Sequence, residues 1–230
     1  QNDQSLFWFQ HYQSPVRFGA SVSSSSYGGD NDIRFYCLIG GSGNQAFTNS
    51  NIISGNTWYH AVFVKSSVSG MTIYINGSSV ATNTSATGNV NNNITSGGAN
   101  SIGVYQTSSS SGYFDGRIDQ FRMFNKALSS SEISKLYGNG AGEIACKYTA
   151  TTTDVNYPVT NLAYYKLDNN SKDSGKSRGK FNQGVTFIGN SAGIVNTTLQ
   201  LSSTAHSVSL WMKPQDLTAT KWQIMFFSAF

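Results

Sequence analysis

Few side chains in this sequence can do acid–base or nucleophilic chemistry, and their spacing suits it badly. Hydrolysis of a glycosidic bond needs two carboxyl groups flanking the scissile bond, yet the chain holds only two glutamates, Glu132 and Glu143. Glu132 closes Ser129-Ser130-Ser131-Glu132, the pattern of a helix capping box, in which serine and glutamate satisfy each other's end of the first turn. Glu143 stands in a Gly-rich stretch. A paired-aspartate arrangement through Asp115 and Asp119 stays formally open. His11, His60 and His206 each sit in or beside strand-like runs, where the plain reading is a partly buried strand residue. Two cysteines, Cys37 and Cys146, cannot make a zinc site alone, and no histidine lies at ligand spacing from them. In an oxidising compartment the two could form one disulfide. The alternative is that Cys37, inside the apolar run 33–39, is a buried free thiol.

The elements that would position these groups read as strands. Aromatic residues reach 13% while charged residues stop at 11%, so solubility rests on Ser, Thr, Asn and Gly, a habit of β-proteins with many polar turns. Runs at 6–9, 33–38, 59–64, 71–75, 101–104, 117–124, 162–167, 185–188, 207–212 and 223–226 are bounded by turn residues. In 71–75, Met71, Ile73 and Ile75 share one face and Thr72 and Tyr74 the other. Alternation slips midway through 118–124, which predicts a bulge or a change of partner. Asn76-Gly77 predicts a type I′ hairpin returning along Ser78 to Ala81, because that turn needs positive φ at both central residues. One helix is expected after Ser129, with Ile133, Leu136 and Tyr137 as its apolar stripe and Gly138 as its stop.

Composition also excludes some partners. The net charge of +4 is scattered, and the one basic cluster, Lys172, Lys176, Arg178 and Lys180, is interrupted by Gly and Ser. Nucleic-acid binding would want a denser stripe. No apolar stretch approaches the roughly 20 residues that span a bilayer. The chain starts at Gln1, without an initiating Met or a signal peptide, so it reads as processed or as a piece of something longer.

Two segments carry a family resemblance. Thr57-Trp58-Tyr59-His60-Ala61-Val62-Phe63-Val64 followed by Met71-Thr72-Ile73-Tyr74-Ile75-Asn76-Gly77 resembles the paired hairpin strands of laminin-G-like domains. Phe114-Asp115-Gly116-Arg117-Ile118-Asp119-Gln120-Phe121-Arg122-Met123-Phe124-Asn125-Lys126-Ala127-Leu128-Ser129 is similar to that family's strand-and-helix signature. The resemblance implies an all-β fold, an antiparallel jelly-roll sandwich of the concanavalin A-like type with about a dozen strands and one short helix. The glucanase branch of that superfamily carries closely spaced glutamates on one strand, and no such arrangement exists here. Non-enzymatic function is the expectation.

The order of the pieces is unusual. Asn161-Leu162-Ala163-Tyr164-Tyr165-Lys166-Leu167-Asp168, then Asp173-Ser174-Gly175, and Ser207-Val208-Ser209-Leu210-Trp211-Met212-Lys213-Pro214 resemble the beginning of such a domain, yet they follow the hairpin. Residues 1–142 therefore read as the larger C-terminal part of a sandwich, 143–160 as a connector and 161–230 as an N-terminal part. Either the chain is one period of a tandem array, with 161–230 completing the same or a neighbouring sandwich, or it is a circularly permuted module. The array accounts for more, including the apolar ending at Phe226 to Phe230, which as a free strand would invite aggregation. The connector resembles text found in tandem laminin-G-like structural proteins of marine bacteriophages. That resemblance implies a building block of an extracellular or virion-surface fibre or filament whose partners are copies of itself or adjacent repeats. The runner-up is a calcium-dependent carbohydrate-binding, lectin-type module of an adhesin or secreted enzyme. For Ca2+, which takes six to eight oxygens, the resemblance points to Asp119, Asp168 and Asp173; the alternative is a backbone cap and a simple turn. For glycan stacking, Tyr27, Tyr105 and Tyr113 in or beside Ser-rich loops are the aromatic candidates.

Overall fold

The computed structural model describes residues 4–10, 17–23, 31–90, 100–106, 111–138, 163–165, 185–187, 204–215 and 217. In chain order they form β1 (Gln4–Gln10), β2 (Arg17–Ser23), β3 (Asp32–Ile39), β4 (Ser42–Phe47), β5 (Tyr59–Ser66), β6 (Gly70–Ile75), β7 (Ser78–Asn83), β8 (Asn100–Ile102), β9 (Val104–Gln106), β10 (Ser111–Tyr113), β11 (Gly116–Phe124), α1 (Ser130–Tyr137), β12 (Ala163–Tyr165), β13 (Val185–Phe187) and β14 (Ala205–Pro214). Two antiparallel sheets face each other across one core. The first runs β4-β3-β2-β1-β8; the second runs β12-β11-β14-β5-β6-β7, with β13 also on β11; β9 and β10 make a separate ribbon.

Period-two patterning explains the core. Phe7, Phe18, Ala20, Ile33, Phe35 and Cys37 project inward from the first sheet, and Ala61, Phe63, Met71, Ile73, Ile118, Phe121, Met123, Val208, Leu210 and Met212 from the second. Phe7 makes edge contacts with Phe63 and Phe121 at ring separations of 5.2 and 5.8 Å, tying the sheets together at their centre. A second, smaller cluster lies on the outer face of the larger sheet, where Val62, Val64 and Phe124 meet Leu128, Ile133 and Leu136. Thus α1 covers the back of the larger sheet.

Several local expectations hold. Asn76 and Gly77 both have positive φ (51° and 81°), and Ile75 pairs with Ser78 across the two-residue turn. The expected slip in β11 is a register shift between Asp119 and Arg122, centred on Gln120 at φ 48°. Ser129 caps α1 in a complete capping box with Glu132, and Gly138 ends it in the left-handed region. The run 101–104 is two strands rather than one, because Gly103 (φ 82°) turns the chain between β8 and β9. β2 and β4 were not marked by the sequence: Arg17–Ser23 carries Gly and two Ser, and Ser42–Phe47 has only two apolar residues. The run 223–226 lies outside the described residues.

β14 holds the larger sheet together. It pairs along eight register positions with β5, from Ala205↔Ser66 to Met212↔Tyr59, and along seven with β11, from Gly116↔Pro214 to Phe124↔Ser207. Leu210 is fully buried at its midpoint. Leu210→Ala should therefore destabilise the fold by about 2–5 kcal/mol through lost burial and a residual cavity, whereas Val68→Ala, at the 84% exposed tip of the β5–β6 turn, should change stability by less than about 0.5 kcal/mol. Urea midpoints of the two variants check this.

Candidate functional site

The polar side chains of the larger sheet gather on its outer face in successive rungs across β11, β14 and β5. Asp119, Trp211 and His60 lie opposite one another; next come Arg122, Ser209 and Val62, then Phe124, Ser207 and Val64. All nine are buried. His60 Nε2 lies 2.9 Å from Ser209 Oγ, and the imidazole stacks on Tyr137 of α1 at 5.8 Å and packs on Trp211 at 5.1 Å. The backbone of His60 is fixed by the hairpin turn, since Asn76 Oδ1 accepts from His60 N at 2.9 Å and Asn76 N donates to His60 O at 2.8 Å. Arg122 Nη2 donates to Gln120 Oε1 at 2.9 Å. Ser207 Oγ accepts from Leu128 N and donates to Lys126 O, anchoring the chain that leads into α1.

Burial, helped by the Arg122 guanidinium, pushes the His60 imidazole down to about 3. The ring is therefore neutral at physiological pH and cannot supply a proton as a general acid. Glu132 is likewise committed: burial alone would raise its carboxyl, but hydrogen bonds from Lys126 and from the Ser129 backbone and hydroxyl outweigh that and hold it below its usual range. Lys126 Nζ reaches it at 2.8 Å.

A second set of titratable groups lies inside the sandwich. Met71, Lys65 and His206 form one rung across β6, β5 and β14, facing Phe18 and Cys37 of the smaller sheet, themselves a register pair. The His206 and Phe18 rings meet edge-on at 3.9 Å. Lys65 is fully buried, and its ammonium donates to the carbonyls of Ser66 (2.7 Å) and Gly88 (2.9 Å); burial lowers its pKa, against a smaller opposing pull from Cys37. Cys37 is a free, buried thiol with Sγ 3.2 Å from Met71 Sδ. Burial pushes it up to about 12 in spite of Lys65, far from the thiolate that a nucleophile or metal ligand requires. Cys146 lies outside the described residues.

The sequence-derived site residues are dispersed. Asp119 is 1% exposed in the outer-face rung with Trp211, while Asp168 and Asp173 lie outside the described residues. Among the described residues there is no group of three His, Cys, Asp or Glu that could hold a metal ion. Asp115 is half-buried, and its carbonyl accepts from Gln215 N at 2.7 Å. Tyr105 pairs with Gly112 and Tyr113 with Val104, so the two tyrosines occupy adjacent rungs of the ribbon rather than one. Tyr27, His11, Glu143 and the basic cluster from Lys172 to Lys180 lie outside the described residues.

Three features went unread in the sequence. Arg122 and Lys65 are buried cations whose strand positions follow from period two once the bulge at Gln120 is allowed for. The third is Gly189-Asn190-Ser191-Ala192-Gly193, which has the spacing of a nucleophile elbow. That motif works at a sharp strand-to-helix turn atop an α/β sheet, and the described architecture is an antiparallel sandwich; the segment itself lies outside the described residues.

Two facing antiparallel sheets with a short helix behind one of them define a concanavalin A-like sandwich. The family model described as the concanavalin A-like lectin/glucanases superfamily, of laminin G type, matches residues 6–134. That is more than half of the chain, and the protein belongs to this family. The match ends before β12, β13 and β14. Neither the comparison with curated proteins nor that with solved structures returns a match. No helix among the described residues is long and apolar enough to cross a membrane, a statement that does not extend to strand-built crossings.

The depressed His60 pKa sets a pH dependence. A base whose folded value lies below its ordinary 6.5 contributes stability that is complete above about pH 6.5 and is lost as pH falls through the folded value. The wild-type advantage over His60→Gln should be constant above that point and shrink steadily toward pH 3. Histidine ring signals followed by NMR, assigned with the same variant, should show that the His60 ring does not titrate between pH 5 and 8; an ordinary titration for His60 would contradict its burial.

Proposed function

We propose that this chain is a non-enzymatic, self-associating structural unit of an extracellular or virion-surface fibre, with glycan contact as a secondary property. The observation that carries this reading is the fate of the reactive side chains. His60, Cys37, Lys65 and Glu132 are each tied into packing, backbone carbonyls or a helix cap, so none of these four is a poised acid, base or nucleophile. The family supports both carbohydrate binding and structural roles. A sandwich whose larger sheet is assembled from widely separated segments, 59–83, 116–124 and 205–214, suits a unit built to join with others. The resemblance to tandem phage structural proteins points the same way.

The test separates structure, binding and catalysis in one preparation. Light scattering of the purified chain should give assemblies well above the 24.8 kDa of one copy, unchanged by a calcium chelator. A screen of oligosaccharides should show no hydrolysis, and Ser191→Ala and Asp115→Asn should behave as wild type. A compact monomer stabilised by calcium and retained on immobilised glycan would replace this reading with a lectin module. Turnover abolished by either substitution would replace it with an enzyme.

A further inference from the structure

The slot between β5 and β11 recognises a strand by local contacts alone. β14 fills it with backbone ladders to both neighbours. Its ends are fixed by Ser67 N to Thr204 O (2.7 Å), Asn56 N to Pro214 O (2.6 Å) and Gln215 N to Asp115 O (2.7 Å). Its side chains are read alternately: Val208, Leu210 and Met212 enter the core, while Ser207 and Ser209 bond the β11–α1 turn and His60 on the other face. Main-chain bonds that give affinity, with alternate side chains that give specificity, are the features of strand addition. β12 and β13, which precede β14 in the chain, pair with β11 and not with β14.

We propose that this slot accepts β14 from a second copy of the chain, so that copies join by strand exchange. The inference rests on the reading of the protein as a self-associating unit and names the contact through which it associates. Both walls of the slot belong to the region that matches the family, residues 6–134. The strand that fills it begins at Ala205, far downstream of the end of α1 at Tyr137. Because β13 is itself paired with β11, residues 188–204 alone tether β14, which gives the intramolecular strand a finite effective concentration set by that length; a neighbour's identical strand competes where copies are crowded to a comparable concentration. β5 and β11 are also synthesised long before β14, leaving two open edges at the centre of a sheet, the situation in which identical elements exchange between protomers.

The test uses the full chain with Cys146→Ser as background. Arg117 and Lys213 face each other across β11 and β14 and are both half-buried, so Arg117→Cys and Lys213→Cys place two thiols within disulfide reach. Each substitution is made in a separate copy, and the two variants are refolded together at high concentration and oxidised. Strand exchange predicts a covalent species of twice the chain mass containing one of each variant. Pairing Lys213→Cys with Val68→Cys, which lies at the opposite end of the slot, should give none. The proposal is overturned if the mixture gives no such species while a chain carrying both substitutions closes on itself at every concentration. It is equally overturned if neither preparation cross-links. Should large assemblies persist by light scattering without the mixed species, self-association stands and strand exchange does not.

Discussion

One strand pairing governs the rest of this fold. β14 supplies hydrogen bonds to β5 on one side and β11 on the other, and without it the larger sheet falls into two pieces with four open edges. Three of its side chains fill the core and two hydroxyls, Ser207 and Ser209, satisfy groups on the outer face. An open edge at the centre of a sheet costs more than one at its rim, because its unpaired amides and carbonyls would be buried rather than solvated. The position of α1 depends on the same strand, through Ser207 beneath the Lys126–Leu128 turn.

The buried polar groups follow from that arrangement. Placing β14 beside β5 brings Ser209 and Trp211 against His60 and sets His206 beside Lys65 in the next-to-last rung. Each such group needs a partner inside the protein, and the ones used are serine hydroxyls, backbone carbonyls, rings and a thioether. Such bonds favour fixed, neutral or fully engaged groups. Catalytic groups need the reverse, a protonation state that can change near neutral pH. His60, Cys37, Lys65 and Glu132 are held in this way.

Much of the fold was legible because its strongest local signals have steric causes. Asn76-Gly77, the capping box at Ser129 and the slip in β11 each reflect a backbone requirement that few other sequences meet, and each appears at the expected place. Of the strands that escaped notice, Ser42–Phe47 is poor in apolar residues and owes its conformation to its neighbour in the sheet, whereas Arg17–Ser23 does alternate, with Phe18, Ala20 and Val22 buried, a pattern that its glycine and serines obscure. The site was less legible. Whether Cys37 or His60 is reactive depends on burial from the opposite sheet or from α1, and a single strand's alternation does not reveal what covers each face. The sequence order of the family pieces marked 207–214 as resembling the beginning of such a domain, and the register alone places it between β5 and β11.

The most direct measurement of this dependence is amide hydrogen exchange on the native chain. If β14 is the central strand, its amides from His206 to Lys213 should be protected to the same degree as those of β5 and β11, exchanging only through global unfolding. Protection in that segment no greater than in the edge strands β4 and β7 would contradict the account, since it would mean that the larger sheet stands without β14.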